Sequence, residues 1–208
     1  MTARRDGGMT DRNRDWGAYY AKTAGRPPRD TLLAALDRFE VEGVTGQAVD
    51  LACGGGRDTV ELLRRGWRVL AVDAEPAANV HLRARADLPS SGVLETQVMR
   101  MEDVALPPCD LVNASFALPL CTPGRFPELW ARIIAALRPG GRFAGQLYGD
   151  RDSWAGDPSL THHTRVEAEA LFASFEIEAF REEEEDSTTP RGTAKHWHVF
   201  HVVARKTG

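Results

Sequence analysis

Short apolar runs that predict strands alternate along the chain with apolar positions at helical spacing. The run at residues 48–52 ends in three glycines and precedes a predicted helix that ends at Gly66. The run at residues 69–72 closes on Asp73 and precedes a predicted Ala-rich helix that reaches Asp87. Two strand–helix units in tandem predict a parallel sheet.

The alternation continues towards the C-terminus. Two final apolar runs, at residues 175–180 and 197–203, have no helix between them, so they should pair antiparallel. The predicted fold is therefore α/β, with a mixed sheet and one reversed strand near its edge. Three further strands are predicted at residues 94–99, 110–116 and 142–148. A helix around residues 130–137 is predicted between the last two of them.

Two helix starts carry capping signals. Asp30 precedes apolar positions at helical spacing over residues 32–39, and it is a plausible N-cap for a first long helix. Thr164 and Glu167 have the spacing of a capping box and predict a short helix that reaches Phe172.

The length of 208 residues favours one domain. We expect a flexible polar tail over residues 1–15 and a single domain over residues 16–208, within which residues 16–45 form a helical lid or cap. The three cysteines, Cys53, Cys109 and Cys121, form no Cys-x-x-Cys pair and do not predict a disulfide framework.

The charge balance bears on partners and location. With 26 basic and 30 acidic residues the formal net charge is −4, which provides no overall field to attract phosphate backbones, so nucleic acid is not an expected partner. No stretch approaches the roughly 20 apolar residues of a membrane span, and the polar start has no apolar core like that of a secretory signal. We expect a cytoplasmic monomer or homodimer that binds a small molecule and no membrane.

The segment with the clearest chemistry is the glycine turn after the first predicted strand. Glycines between a strand and a helix let the backbone pass close to a ligand where a side chain would collide. Asp50 lies just before the turn, and Asp73 ends the next strand 73 − 50 = 23 residues later. A strand-end carboxylate near that offset can accept hydrogen bonds from both ribose hydroxyls of a nucleoside cofactor.

Dinucleotide binding is the competing interpretation of this turn. Its fingerprint needs a third glycine, and counting from Gly54 and Gly56 puts Thr59 at that position. Asp50 would also repel a pyrophosphate. A cofactor with a cationic amino-acid end fits the turn better.

The pattern Asp50-x-x-x-Gly54-x-Gly56 resembles the motif of the class I S-adenosylmethionine-dependent methyltransferases. Asp73 is similar to the ribose-binding acid of that family, and residues 137–141, Leu-Arg-Pro-Gly-Gly, resemble its turn into the fifth strand. The resemblance covers about residues 16–205 and is nearest to small bacterial enzymes of the tellurite-resistance and thiopurine type. It implies a Rossmann-like, doubly wound, mostly parallel seven-stranded sheet with a reversed C-terminal strand.

The resemblance also implies a cofactor site for S-adenosylmethionine, with S-adenosylhomocysteine as the product. The turn backbone should lie against the methionine part, Asp73 against the ribose, and either Glu102 or Asp103 against the adenine. The residues expected to bind the cofactor are Asp50, Ala52, Cys53, Gly54, Gly56, Asp58, Asp73, Ala74, Met101, Glu102, Asp103, Asn113 and Ser115.

The acceptor side is less sharply marked. In this fold the end of the fourth strand meets both sulfonium and acceptor, so Asn113 is a catalytic candidate, and the loop after the fifth strand adds His162 or His163 as a possible proton acceptor. His196 and His198 share a face of the last strand but lack further ligands, so no metal is expected. The residues expected to form the substrate pocket or the lid are Trp16, Tyr19, Tyr20, Phe116 and Trp154.

These features predict methyl transfer from S-adenosylmethionine to an N, O or S atom of a small molecule, with no covalent enzyme intermediate. The alternatives are an NAD(P)-dependent oxidoreductase, a protein that binds the cofactor without methyl transfer, and an enzyme that uses the same cofactor in another reaction. The acceptor itself is not specified by these residues.

Overall fold

A computed structural model describes residues 25–189 and 192–208 of the chain. The predictions of a flexible tail over residues 1–15 and of lid aromatics at Trp16, Tyr19 and Tyr20 lie outside these residues. Five α-helices are present in the described part: α1 Asp30–Glu42, α2 Arg57–Arg64, α3 Pro76–Arg83, α4 Phe126–Ala136 and α5 Arg165–Ala170. None of these helices is long and apolar enough to cross a membrane.

The strands form one sheet. Their bounds are β1 Gln47–Leu51, β2 Arg68–Asp73, β3 Leu94–Val98, β4 Cys109–Ala114, β5 Leu137–Gly149, β6 His162–His163, β7 Phe175–Thr188 and β8 Ala194–Lys206. The order across the sheet is β3-β2-β1-β4-β5-β8-β7, and the two-residue β6 pairs with the end of β5. β8 is antiparallel to both of its neighbours, and the other pairs are parallel.

This arrangement confirms the predicted Rossmann-like, mostly parallel α/β sheet with a reversed C-terminal strand. The path contains the seven predicted strands, to which β6 adds a short eighth. The strands β7 and β8 continue well beyond the predicted apolar runs, because their outer halves pair with each other through polar residues from Arg181 to Thr188. Because these outer halves are polar, the pattern of apolar positions does not predict them.

Helices cover both sides of the sheet. On one side α1, α2 and α3 pack against β1, β2 and β4 through Leu32, Leu36, Val60, Leu62 and Leu82. On the other side α4 and α5 cover a larger core that includes Trp130, Ile133, Phe143, Phe172 and Phe200. Burial of such side chains stabilises the fold by about 1.5–3 kcal/mol each.

The two predicted helix starts differ in outcome. Thr164 and Glu167 form the predicted capping box at the start of α5, in which each side chain accepts from the other residue's backbone N–H. At α1 the prediction was wrong, because Asp30 is the first helical residue and Arg29 is the N-cap, with no side-chain cap hydrogen bond. The Asp30 carboxylate still lies in the first turn, where the helix dipole favours negative charge.

Candidate active site

The glycine turn lies at the carboxyl end of β1, next to the end of β2. The Cys53 amide donates to the carbonyl of Val72 at 3.0 Å, which fixes the turn to the neighbouring strand. Ala52, Gly54 and Gly56 all have positive φ angles, of 51°, 55° and 77°. Left-handed backbone is costly for non-glycine residues, so its adoption at Ala52 marks a strained position of the kind that clusters at ligand sites.

The lack of a side chain at Gly56 is required by packing within the protein. A β-carbon there would lie 2.2 Å from Leu82 Cδ1 of α3, so a side chain would collide with the protein itself and not only with a ligand. The glycine allows α2 to begin close against α3. A substitution at Gly56 would therefore disturb the packing of α2 against α3 as well as the space for a ligand.

Under the turn, two carboxylates converge on one amide. Asp50 at the end of β1 accepts from Asn113 Nδ2 at 2.8 Å and from Thr59 Oγ1 at 2.6 Å. Asp58 of α2 accepts from the same Asn113 nitrogen at 3.2 Å. It also accepts from the backbone N–H of Arg29 at 3.1 Å. The side chains of Asp50, Asp58 and Asn113 are all buried.

This arrangement changes the chemistry of Asp50. Burial raises the pKa of Asp50 to about 7, with the negative charge of Asp58 as the next cause. Hydrogen bonds from Thr59 and Asn113 act in the opposite direction. A nearby ammonium would favour the ionised form of Asp50. The cluster is thus suited to the cationic end of an amino acid.

Asn113 itself is placed differently from the prediction of a catalytic group. Its side chain is fully buried, its amide nitrogen contacts the two carboxylates, and its carbonyl oxygen accepts from Ser115 Oγ at 3.2 Å. These bonds orient Asp50 and Asp58, and a catalytic role of Asn113 stays a prediction. Ser115, half-buried at the strand end, remains a predicted cofactor contact.

Asp73 lies at the end of β2 with both oxygens directed at backbone N–H groups. Oδ2 accepts from Gly54 at 2.8 Å, and Oδ1 accepts from Glu75 at 2.9 Å. These two bonds hold the Asp73 carboxylate against the glycine turn. Ala74 follows in an exposed position at the same edge.

The two acids expected at the adenine end differ in their exposure to solvent. Glu102 is buried and its carboxylate accepts from Arg100 at 2.9 Å, whereas the Asp103 carboxylate is 48% exposed and pairs with Arg125 at 2.9 Å. Met101 is buried beside them. Both acids therefore stay predictions as adenine contacts.

The two loop histidines lie on opposite sides of the sheet. His162 pairs with Tyr148 of β5, and their rings lie 5.7 Å apart on the side covered by α1. His163 pairs with Gly149 and packs on Phe126 of α4 at 4.8 Å. Burial lowers the pKa of both rings. Only His162 lies on the side of the sheet that carries Asp50 and Asn113.

Four aromatic side chains meet near the carboxyl ends of β4 and β5. The ring centroid of Tyr148 lies 6.3 Å from Phe116, 6.2 Å from Trp154 and 6.1 Å from Trp197. Tyr148 is buried and the other three rings are half-buried. We call these four residues the aromatic wall. Sequence reasoning found Phe116 and Trp154, whereas Tyr148 and Trp197 depend on the register of β5 and β8.

An ion pair is enclosed against this wall. The ammonium of Lys195 and the carboxylate of Asp152 are in contact, and both side chains are fully buried. Lys195 Nζ lies 3.8 Å from the ring centroid of Trp154 and 4.4 Å from that of Trp197. Lys195 was missed in the sequence, because nothing in its local pattern distinguishes it from a solvated strand residue.

The acidic run in β7 contributes to a second polar cluster. Potential ligand atoms of Glu182, Glu184 and His198 lie within 4.8 Å of one another. The guanidinium of Arg151 lies among them and donates to both glutamates at 2.7 Å. A cation of the protein therefore already balances these carboxylates, and the group forms an ion-pair network.

Comparisons with known proteins identify what the chain resembles in sequence and fold. Residues 48–141 match a family model described as a methyltransferase domain. An uncharacterised methyltransferase of Synechocystis sp. is 36% identical over 102 residues, which is 48% of this chain. The alignment spans 46% of that relative, so the match covers less than half of its length.

Solved structures show the same fold at low sequence identity. TehB from Haemophilus influenzae superposes with a TM-score of 0.69 at 16% identity, covering 84% of this chain and 62% of TehB. The N-methyltransferase NodS from Bradyrhizobium japonicum, in complex with S-adenosyl-L-homocysteine, gives a TM-score of 0.66 at 12% identity and covers 93% and 98% of the two chains. The chain therefore has the fold of these solved methyltransferases, and its residues 48–141 match the methyltransferase domain family.

Proposed function

We propose that this protein transfers a methyl group from S-adenosylmethionine to an N, O or S atom of a small-molecule acceptor. The observation that carries the proposal is the group of carboxylates around the glycine turn. Asp73 lies at the end of β2, bonded to the turn, and Asp50 with Asp58 lies beneath it. This set suits a cofactor that combines ribose hydroxyls with a cationic amino-acid end.

The residues of the turn fit that cofactor better than a dinucleotide. Thr59 occupies the position of the missing third glycine, is fully buried, and donates to Asp50 at 2.6 Å. Two buried carboxylates under the turn would oppose a pyrophosphate and favour an ammonium. The oxidoreductase alternative is disfavoured on both grounds.

The binding roles follow from these contacts. The Asp73 carboxylate would accept from the ribose hydroxyls, while the turn backbone and Asp50 would hold the methionine part. Asp58 and Asn113 would keep Asp50 in place. The bound cofactor supplies an electrophilic methyl group on its sulfonium.

The protein's own part in the reaction is positioning and proton transfer. The ends of β4 and β5 would hold the acceptor atom in line with the methyl group and exclude water. The methyl–sulfur bond breaks as the bond from methyl to the acceptor atom forms. Where that atom carries a proton, His162 Nε2 would take it, since this nitrogen is buried and has no hydrogen-bond partner among the described residues.

Calorimetric titration tests this proposal through the first prediction. S-adenosylmethionine should bind to the purified protein and NADH should not. Asp73→Ala should lower the affinity by about 1.5–3 kcal/mol, the usual cost of a lost hydrogen bond to a charged group.

Asp37→Ala is the matched control, because Asp37 is an exposed carboxylate of α1 that pairs with Arg65 at 2.6 Å. Binding of NADH in place of S-adenosylmethionine would contradict the proposal. A folded Asp73→Ala variant with unchanged affinity would remove the ribose assignment. Methylated product from any acceptor would separate the enzyme from a protein that only binds the cofactor.

A further inference from the structure

Each of the four rings of the aromatic wall has a cation of the protein over a face, and for Tyr148 this is Lys195 Nζ at 5.2 Å from the ring centroid. The Arg29 guanidinium carbon lies 4.3 Å from the ring centroid of Phe116. Lys195 Nζ lies within 4.4 Å of the centroids of both Trp154 and Trp197. These distances are well inside the roughly 6 Å limit of cation–π attraction.

The wall is joined to the cofactor turn. Arg29 donates its backbone N–H to Asp58 at 3.1 Å and places its guanidinium on Phe116. Phe116 follows Ser115 at the end of β4, so the turn and the wall meet at this strand. The acceptor must lie at the same edge of the sheet if the proposed function holds.

The backbone of Phe116 is held in a costly conformation. Its φ angle is 53°, an outlier for an aromatic residue, and its N–H donates to Gln146 Oε1 at 2.9 Å. The Gln146 amide in turn donates to Thr31 at 2.9 Å. Backbone strain that is maintained by surrounding hydrogen bonds is typical of functional positions. At Phe116 this backbone conformation fixes the direction of the aromatic ring.

The charges decide which acceptors this wall can take. An alkylammonium would normally use the faces of aromatic rings, but Lys195 and Arg29 already occupy such positions. Asp152 balances the charge of Lys195, but the ammonium still occupies the ring faces, so a second cation could not make these cation–π contacts. A flat neutral or anionic compound meets ring edges and half-buried apolar surface and does not need those faces.

Building on the proposed function, we infer that the methyl acceptor is a planar aromatic or heteroaromatic compound, bound in a neutral or anionic form against Phe116, Trp154 and Trp197. Lys195 and Arg29 act as specificity residues that exclude cationic amines. The ion pair of Lys195 with Asp152 also fixes the position of Trp154, whose backbone N–H donates to Asp152 at 2.9 Å.

The test uses three probes of similar size on protein saturated with S-adenosylhomocysteine. The probes are 2-naphthol, its saturated counterpart decahydro-2-naphthol, and the cation trimethyl(2-naphthyl)ammonium, each titrated by calorimetry. We expect 2-naphthol to bind at least about tenfold more tightly than either of the others, a difference of about 1.4 kcal/mol. Equal binding of all three probes, preference for the cation, or no binding of 2-naphthol would overturn the inference.

Variants connect the binding to the wall. Trp197→Leu should weaken 2-naphthol at least about fivefold without changing the affinity for S-adenosylhomocysteine, because a ring contact of the bound probe is lost. Phe180→Leu is the matched control. Phe180 is also half-buried with a guanidinium, that of Arg165, near its ring at 5.4 Å, but it packs against the core on the opposite side of the sheet.

A double variant tests whether the ring faces occupied by Lys195 exclude a cationic ligand. Lys195→Met with Asp152→Asn removes both members of the ion pair, so no buried carboxylate is left without a partner. The affinity for trimethyl(2-naphthyl)ammonium should then rise, while a thermal melt reports whether the fold persists. Should the double variant unfold, Arg29→Met makes the same test at Phe116.

A failure of the inference is distinguishable from a failure of the proposed function. Loss of S-adenosylhomocysteine binding in the wild-type protein would contradict the methyltransferase proposal itself. Normal cofactor binding with unselective probe binding, or with a Trp197→Leu variant that binds 2-naphthol normally, would overturn only the inferred acceptor class.

Discussion

At the residue scale, Asp50 is the side chain whose chemistry depends most on its surroundings. It lies beside Asp58 in a buried site where one amide, that of Asn113, serves both carboxylates. Two negative charges so close together oppose each other's ionisation. The cofactor's ammonium would relieve this opposition, so the residue couples protonation to binding.

The second prediction follows from the pKa of Asp50, which burial and Asp58 raise from 3.8 to about 7. Between these values the folded protein keeps a proton that the unfolded chain has released, so the free energy of unfolding should fall as pH rises from about 4 to about 7. Asp50→Asn removes the titrating group and should flatten this fall. Urea unfolding of both proteins without cofactor, across pH 4.5–8, measures the difference, and parallel curves would contradict it.

The third prediction concerns the two loop histidines. If the acceptor loses a proton on methylation, His162→Gln should lower kcat by roughly 10²- to 10⁴-fold, the usual contribution of a general base. His163→Gln is a control next in sequence, since its ring packs on Phe126 on the other side of the sheet. The measurement is turnover of any productive acceptor against pH, with cofactor affinity checked in both variants. Equal effects of the two substitutions would remove His162 as the base.

At the scale of elements, Arg142 joins three of them. Its side chain is 1% exposed on β5, donates to Glu42 at the end of α1 at 2.9 Å, and donates to Glu178 of β7 at 2.8 Å. The guanidinium also lies 4.4 Å from the ring of Phe39. This contact holds α1 against the sheet close to the reversed strand.

The fourth prediction is that Arg142→Met lowers the free energy of unfolding by about 3 kcal/mol, because Glu178, whose side chain is only 13% exposed, loses its main partner. Adding Glu178→Gln should recover part of the loss, since the unpaired charge is removed. Urea unfolding of the single and double variants at pH 7 gives both values. A double variant that is less stable than Arg142→Met would contradict this account.

At the scale of the whole molecule, the sheet brings every proposed contact to one edge. β1, β2, β4 and β5 end there, and the antiparallel β8 begins there with Lys195 and Trp197. A site built from the ends of several strands keeps its geometry because the sheet beneath it is buried on both sides. Segments that cover such a site can then move without disturbing the fold.

The fifth prediction uses this separation. If Trp16, Tyr19 and Tyr20 form a lid, deletion of residues 1–20 should leave the melting temperature nearly unchanged and reduce turnover far more than cofactor affinity. If these aromatic residues are part of the core, the truncated protein should lose several kcal/mol of stability. Thermal melts, titration with S-adenosylmethionine and turnover on one truncated sample distinguish the two outcomes.

The sequence by itself determined the order of strands and helices, the mixed sheet and the glycine turn. These depend on local signals: apolar periodicity, glycine at positions of positive φ, and acids at strand ends such as Asp73. Binding roles at the turn could be predicted for the same reason. The capping box at Thr164 and Glu167 is equally local, and it was confirmed.

Only the tertiary structure decided which distant residues meet. Asp58 and Asn113 share a site because α2 and β4 converge on β1, and Gly56 is required by Leu82 from another helix. His162 separates from His163 because successive strand residues point to opposite sides of a sheet. Lys195 and Trp197 reach the aromatic wall because β8 runs antiparallel to β5, and its register is set by pairing along the whole strand.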